Sequence, residues 1–180
     1  AGGVAFSSAR VGCARTLGDH AAWLAARRVG QRLPSPARET AVPISFDKPV
    51  VILSAPRSGS TLLFETLARA PGLHTIGGES HRVIEGIPSL HPAGRGFASN
   101  RLEASDAPPE VAEALRQRFV ASLRDRDGMP APDGGSIRLL EKTPKNVLRI
   151  PFMRRVFHDA RFVVLWRDQR AVLSSMIEAW

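Results

Sequence analysis

The run Pro49-Val50-Val51-Ile52-Leu53-Ser54-Ala55-Pro56-Arg57-Ser58-Gly59-Ser60-Thr61-Leu62-Leu63 constrains the fold of this chain more than any other stretch. Val50 to Leu53 are four consecutive apolar residues, three of them β-branched, as expected of a strand buried on both faces in a parallel sheet. Apolar residues return at helical spacing from Leu62 to Ala68, which makes Ser58 to Thr61 the first turn of a helix. A buried strand handed to a helix through a short turn is the repeating unit of α/β folds, so a central parallel sheet covered by helices is expected.

The turn itself suits an anion. The first amides of a helix have no internal partner and lie at the positive end of its dipole, so they point at whatever fills the turn. Gly59 removes the side chain that would block close approach, and Ser58, Ser60 and Thr61 add hydroxyl donors. Arg57 adds a permanent, planar cation matched to a doubly charged oxyanion. The alternative is an ordinary strand-to-helix turn with a serine cap. This is not a Walker A loop, which needs G-x-x-x-x-G-K-[ST]; here there is one glycine and no such lysine.

Composition narrows the ligand class without choosing within it. The 180 residues suffice for one sizeable core. Twenty-five basic against 17 acidic residues give a net charge of +8, which favours nucleotides, sulfated groups, nucleic acid or anionic membranes alike. With no tyrosine, few aromatic residues and no basic run, nucleic acid is not expected as the partner. Cys13 is the only cysteine, which excludes an internal disulfide and a cysteine-based zinc site. A reducing, cytoplasmic setting is therefore expected, with an organelle-targeted protein as the alternative. No apolar run approaches the ~20 residues that span a bilayer, so stable membrane insertion is not expected.

Residues 1–48 read as a basic N-terminal helix, from Asp19 to Arg32, and a linker marked by Pro34, Pro36 and Pro43. An Arg-rich, acid-poor transit peptide is the other reading of this segment. After the first long helix, Pro71-Gly72 leads into a short strand, Leu73 to Ile76, and then the loop Gly77 to Glu85. In an alternating chain that loop lies at the carboxyl edge of the sheet, where Glu79 or His81 is placed to take a proton from an attacking hydroxyl. The alternative is a helix cap with His81 solvated. Residues 86–109 read as a long irregular loop, a candidate acceptor lid. Pro109 opens an amphipathic helix with Val111, Ala114, Leu115, Phe119 and Leu123 on one face.

Ile137 to Glu141 reads as a further strand, with Lys142 where it ends, either a surface lysine or a cation for a leaving group. Ile150 to Phe157 is a short helix. Phe162 to Trp166 has a second fully buried strand pattern and hands over to a helix beginning near Asp168. Arg167 then lies at the sheet edge and Ser175 about two turns along the helix, a pair able to clamp a second phosphate.

These two strand-turn-helix units, in this order, resemble the sulfotransferases that use 3′-phosphoadenosine 5′-phosphosulfate. The resemblance runs from about Val50 to Trp180 and is strongest in Ala55 to Leu63 and Phe162 to Ser175, with Glu141-Lys142-Thr143-Pro144 between them. It implies a P-loop-like three-layer α/β/α fold, truncated at the C-terminus, with residues 49–180 as an incomplete nucleotide-binding domain. It implies that Arg57, Ser58, Gly59, Ser60, Thr61 and Leu62 hold the 5′-phosphosulfate, that Arg167 and Ser175 hold the 3′-phosphate, and that Lys142 joins Arg57 as a catalytic cation. Gly78 to Ile84 resembles the segment that supplies the base in tyrosylprotein and bacterial members. Aligned through Arg82, the base position falls on Ser80, with Glu79 one residue early and His81 one late; Glu79 is the first candidate and His81 the second. The family's chain continues past this helix with a glycine-containing nucleotide loop, so a piece of this length is expected to risk losing activity.

The implied reaction is sulfuryl transfer to a hydroxyl or amine of a small-molecule, peptide or glycan acceptor, with no metal. Two rivals remain at this point. A P-loop nucleotide kinase or NTPase shares the architecture but requires the Walker lysine. A non-catalytic basic module would use the arginine surface to hold sulfated glycans or nucleic acid.

Overall fold

The computed structural model describes residues 44–179. The expected helix from Asp19 to Arg32 and the linker prolines lie outside the described residues. Ile44–Phe46, placed in the linker by sequence, form strand β1, which pairs with Gly135–Ile137 while the Phe46 ring packs edge-on against Phe157 at 5.0 Å.

Four more strands follow: β2 (Val50–Ser54), β3 (Leu73–His74), β4 (Gly135–Lys142) and β5 (Arg161–Leu165). All pairings among these five strands are parallel. Strand β2 lies between β4 and β5, in register Ile52 with Lys142 and Ser54 with Leu165, while β1 and β3 both pair with β4. Because the strands run the same way, Ser54, Lys142 and Leu165 all end at one edge of the sheet. The loops that follow them therefore open on one side of the molecule, the usual place for ligands in such sheets.

Side-chain alternation along β2 builds the layers. Val51 and Leu53 face one core, with Leu115 and Phe119 of α3 (Pro109–Ser122) and Phe152 and Met153 of α4 (Ile150–Val156). Ile52 faces the other way, with Leu140 and with Phe64 of α1 (Ser60–Ala68). Helices thus cover both faces of the sheet, an α/β fold as expected. The short α2 (His81–Glu85) follows β3, and α5 (Gln169–Ala179) follows β5.

Two expectations are corrected. Strand β5 is not buried on both faces: Val164 is 74% exposed, and Trp166, just beyond the strand, is 75% exposed. Among the described residues β5 pairs only with β2, so it is an edge strand, and a run of apolar residues cannot by itself distinguish an edge from a centre. Residues 86–109 are not loose throughout: Leu90, Leu102 and Ala107 are buried and Arg95 ion-pairs with Asp106 at 2.6 Å, which pins the segment to the core on either side of an open middle stretch.

Candidate functional site

The turn after β2 holds a residue in a strained conformation. Arg57 has φ +65°, a left-handed conformation that costs a non-glycine residue ~1–2 kcal/mol. Arg167 offsets this by donating from Nη1 to the Arg57 carbonyl at 2.9 Å. The Arg57 side chain turns toward the second unit, where its Nε donates to Ser175 Oγ at 3.1 Å. Gly59, at φ +89°, precedes α1 and adopts the backbone that glycine tolerates best. No side-chain hydrogen bond caps this helix, so the positive end of its dipole faces the turn.

A cleft of about 320 Å³ is lined by Arg57, Gly59, Ser60, Thr61, Leu62, Arg167 and Ser175. The two strand-turn-helix units, 110 residues apart at Arg57 and Arg167, therefore meet at one place. Ser58 does not line this cleft. It is buried beside Ala55 and Trp166, on the wall of a neighbouring cavity of about 370 Å³.

The remaining predicted residues form a second group at the same sheet edge. Lys142, at the end of β4, is buried; its Nζ donates to Glu79 Oε1 at 2.9 Å and reaches Thr61 Oγ1 at 3.5 Å. Thr61 belongs to the cleft, so this contact joins the two groups. Glu79 Oε2 lies 2.8 Å from His81 Nε2. Partial burial pushes the Glu79 carboxyl up, but hydrogen bonds from Lys142 and His81 outweigh that and hold it below the ordinary carboxylate range. Glu79 is thus an ionised carboxylate with about a third of its side chain open to solvent, so it is within reach of an incoming hydroxyl, although its two donors make it a weaker base than a free carboxylate. Ser80, onto which the alignment puts the base, is fully buried and faces away into the protein, bonded to Glu141 and Thr143.

Sequence reasoning missed a neighbouring charged cluster. Glu85 Oε1 accepts from Lys145 Nζ at 2.8 Å and from Arg149 Nη2 at 2.9 Å, and Arg149 is fully buried, its Nε bonded to the carbonyl of Asn100. His81 Nδ1 is 3.8 Å from the same carboxylate. Burial raises the Glu85 carboxyl, and its two cations bring it below the ordinary range. The spacing of Glu85 and Arg149, 64 residues, carries no local signal that would have paired them. Among the described residues no grouping of His, Cys, Asp and Glu is arranged to hold a metal ion.

A model of the sulfotransferase family matches residues 49–180, which include both units and the lysine strand between them. The chain belongs to the sulfotransferase family. Within that family, protein-tyrosine sulfotransferase 1 of Homo sapiens is 31% identical over 134 residues, covering 73% of this chain and 34% of the human protein. The Mus musculus protein of the same name is also 31% identical over 134 residues, with the same coverage. Protein-tyrosine sulfotransferase 1 of Danio rerio is 29% identical over 153 residues, covering 83% of this chain and 40% of its own. The sulfotransferase-family chain thus spans about a third to two fifths of the length of these relatives.

This kinship with protein-tyrosine sulfotransferases overturns the cytoplasmic expectation. The error lay in reading a compartment from a single cysteine, which bears on disulfides and cysteine-based zinc sites and not on location. No helix of the described residues is long and apolar enough to cross a membrane.

Proposed function

We propose that this chain carries the donor-binding part of a sulfotransferase, which moves a sulfuryl group from 3′-phosphoadenosine 5′-phosphosulfate to a hydroxyl on a peptide acceptor. The observation that carries the proposal is the meeting of Arg57, Arg167 and Ser175 in one cleft, with the Lys142–Glu79 pair reaching that cleft through Thr61. The residues fit the donor's charges: two guanidinium groups, a hydroxyl and an uncapped helix terminus favour a nucleotide with phosphate at both ends. The peptide acceptor is the choice favoured by the relatives, which are protein-tyrosine sulfotransferases.

In this reading Arg57, Ser60, Thr61 and the first amides of α1 bind the 5′ end of the donor, and Arg167 with Ser175 binds the 3′-phosphate. Glu79 takes the acceptor's proton, assisted by His81. The acceptor oxygen forms its bond to sulfur as the sulfur–oxygen bond to the 5′-phosphate breaks, and that phosphate keeps the electron pair. Lys142 stabilises the charge that develops there, a role for positioning and electrostatics as in phosphoryl transfer. The pairing of Lys142 with Glu79 keeps the base ionised before the acceptor arrives.

Replacing Arg57 with Ala in the full-length protein tests the assignment. Loss of a charge-assisted contact to phosphate weakens binding of adenosine 3′,5′-bisphosphate by ~10- to 100-fold and lowers sulfate transfer at least as much. Unchanged affinity and turnover would reject it.

A further inference from the structure

Glu141 sits one residue before Lys142 on β4 and is almost fully buried, yet it plays no part in the reaction above. Its Oε1 accepts hydrogen bonds from two hydroxyls, those of Ser80 and Thr143, the latter at 2.7 Å. Thr143 Oγ1 in turn accepts the Ser80 backbone N–H at 2.8 Å. Ser80, Thr143 and the adjacent Asn146 are all fully buried. A carboxyl group taken this far out of water is costly unless its partners are fixed, and burial pushes this one up from its ordinary value. Its bonded partners belong to the end of its own strand and to the loop that carries Glu79 and His81.

The geometry has a simple logic. Successive residues of a strand point to opposite faces, so Glu141 and Lys142 reach out on different sides of β4. Lys142 meets Glu79, and Glu141 meets Ser80, the next residue of the same loop. Two neighbouring residues of one strand thus grip two neighbouring residues of one loop. Rotation or sliding of that loop therefore works against the buried bonds to Ser80 as well as the Glu79–Lys142 pair.

We propose that Glu141 is a positioning residue, which through Ser80 and Thr143 holds the Glu79 carboxylate in place at the end of β4. This inference rests on Glu79 being the base in the function proposed above. Misplacement of a reacting group by about 1 Å costs on the order of 100-fold in rate, so the loss of this grip is felt in turnover. Donor binding changes far less, because no hydrogen bond among the described residues links Arg57, Arg167 or Ser175 to Glu141, Ser80 or Thr143, and only the long 3.5 Å contact of Lys142 with Thr61 joins the two groups.

The test compares Glu141→Ala, Glu141→Gln and Ser80→Ala in the full-length protein. Glu141→Ala lowers kcat by ~10- to 100-fold while the donor KM and the affinity for adenosine 3′,5′-bisphosphate stay within about threefold. Glu141→Gln keeps an acceptor oxygen for both hydroxyls and recovers most of the turnover. Ser80→Ala removes one hydroxyl with little change in volume and gives the same split should Glu141→Ala not fold. Hydrogen exchange provides a readout independent of activity: amides of residues 77–85 exchange faster in Glu141→Ala, while those of β2 do not. Wild-type kcat in Glu141→Ala and Ser80→Ala, a proportional fall in kcat and nucleotide affinity, no recovery in Glu141→Gln, or unaltered exchange at 77–85 would each overturn the proposal. Absence of sulfate transfer by the wild-type protein would instead remove the functional reading, with hydrogen exchange still deciding whether Glu141 holds the loop.

Discussion

Replacing Lys142 with Met removes one ammonium group and keeps an unbranched side chain of similar reach, so its effects on stability and on catalysis separate by size. In the wild-type protein Nζ lies 2.9 Å from Glu79 Oε1, with the lysine side chain 7% and the glutamate side chain 36% exposed. A charge-assisted hydrogen bond contributes ~1.5–3 kcal/mol, but the substitution also relieves a desolvated ammonium and lets Glu79 regain water. With the partner this open to solvent, the net change in stability is ~1 kcal/mol or less. Catalysis has no such offset. Removing one group that stabilises developing charge costs ~10²–10³ in kcat, or about 2.7–4 kcal/mol.

The assay is sulfate transfer at saturating donor, run beside thermal denaturation of the same preparations. The pH profile gives a second reading. Lys142 holds the Glu79 carboxyl down against the opposing effect of burial, so the acid limb of activity moves to higher pH in Lys142→Met. The stability linked to this depressed carboxyl is present above the unfolded-state value and is lost as pH falls through the native one, and the substitution diminishes that acid-side loss. A kcat within about threefold of wild type, with no movement of the acid limb, would refute the reasoning.

Two further variants bear on the frame that holds the site. Glu85→Ala leaves the fully buried Arg149 without its carboxylate and costs ~3–5 kcal/mol, read as a lower denaturation midpoint in urea; an unchanged midpoint would mean that water already serves Arg149. The same variant loses part of the acid sensitivity of the wild type, because Glu85 is also held below the ordinary carboxylate range and its stabilisation fades as pH falls. Phe119→Ala removes a fully buried ring packed edge-on against Phe157 at 5.5 Å and costs ~3–5 kcal/mol, again by denaturation, with a loss under 1 kcal/mol contradicting its place in the core.

What could be read from the sequence depended on whether the signal was local. Val50 to Leu53 announce a buried strand because four apolar residues leave no polar face, and Arg57 to Thr61 announce an anion turn because their chemistry lies within one loop. The joining of that turn to Arg167 and Ser175 follows from parallel strands sharing an edge, which the alternation of elements already implies. Strand β5 was misread because apolar residues show that a strand is suited to burial without showing what covers it. Leu90, Leu102 and Ala107 bury a stretch rich in glycine and proline, and they do so at irregular spacing, with no period to detect. Glu85 with Arg149, and Ser80 with Glu141, are contacts between segments more than 60 residues apart, and only the folded chain brings them together. Ser80 also shows how a shift of one residue matters: the aligned position points inward to Glu141, and its neighbour Glu79 is the carboxylate that meets Lys142.

The central claim is that two anchors in one cleft grip the two ends of a doubly phosphorylated adenylate. Calorimetric titration of the full-length protein with adenosine 3′,5′-bisphosphate and with 5′-AMP, repeated in Arg167→Ala, tests it most directly. The account predicts that wild type prefers the bisphosphate by ~10-fold or more and that Arg167→Ala loses this preference while its affinity for 5′-AMP is little changed. Equal affinity of the wild-type protein for the two nucleotides, or a preference that survives in Arg167→Ala, would contradict it.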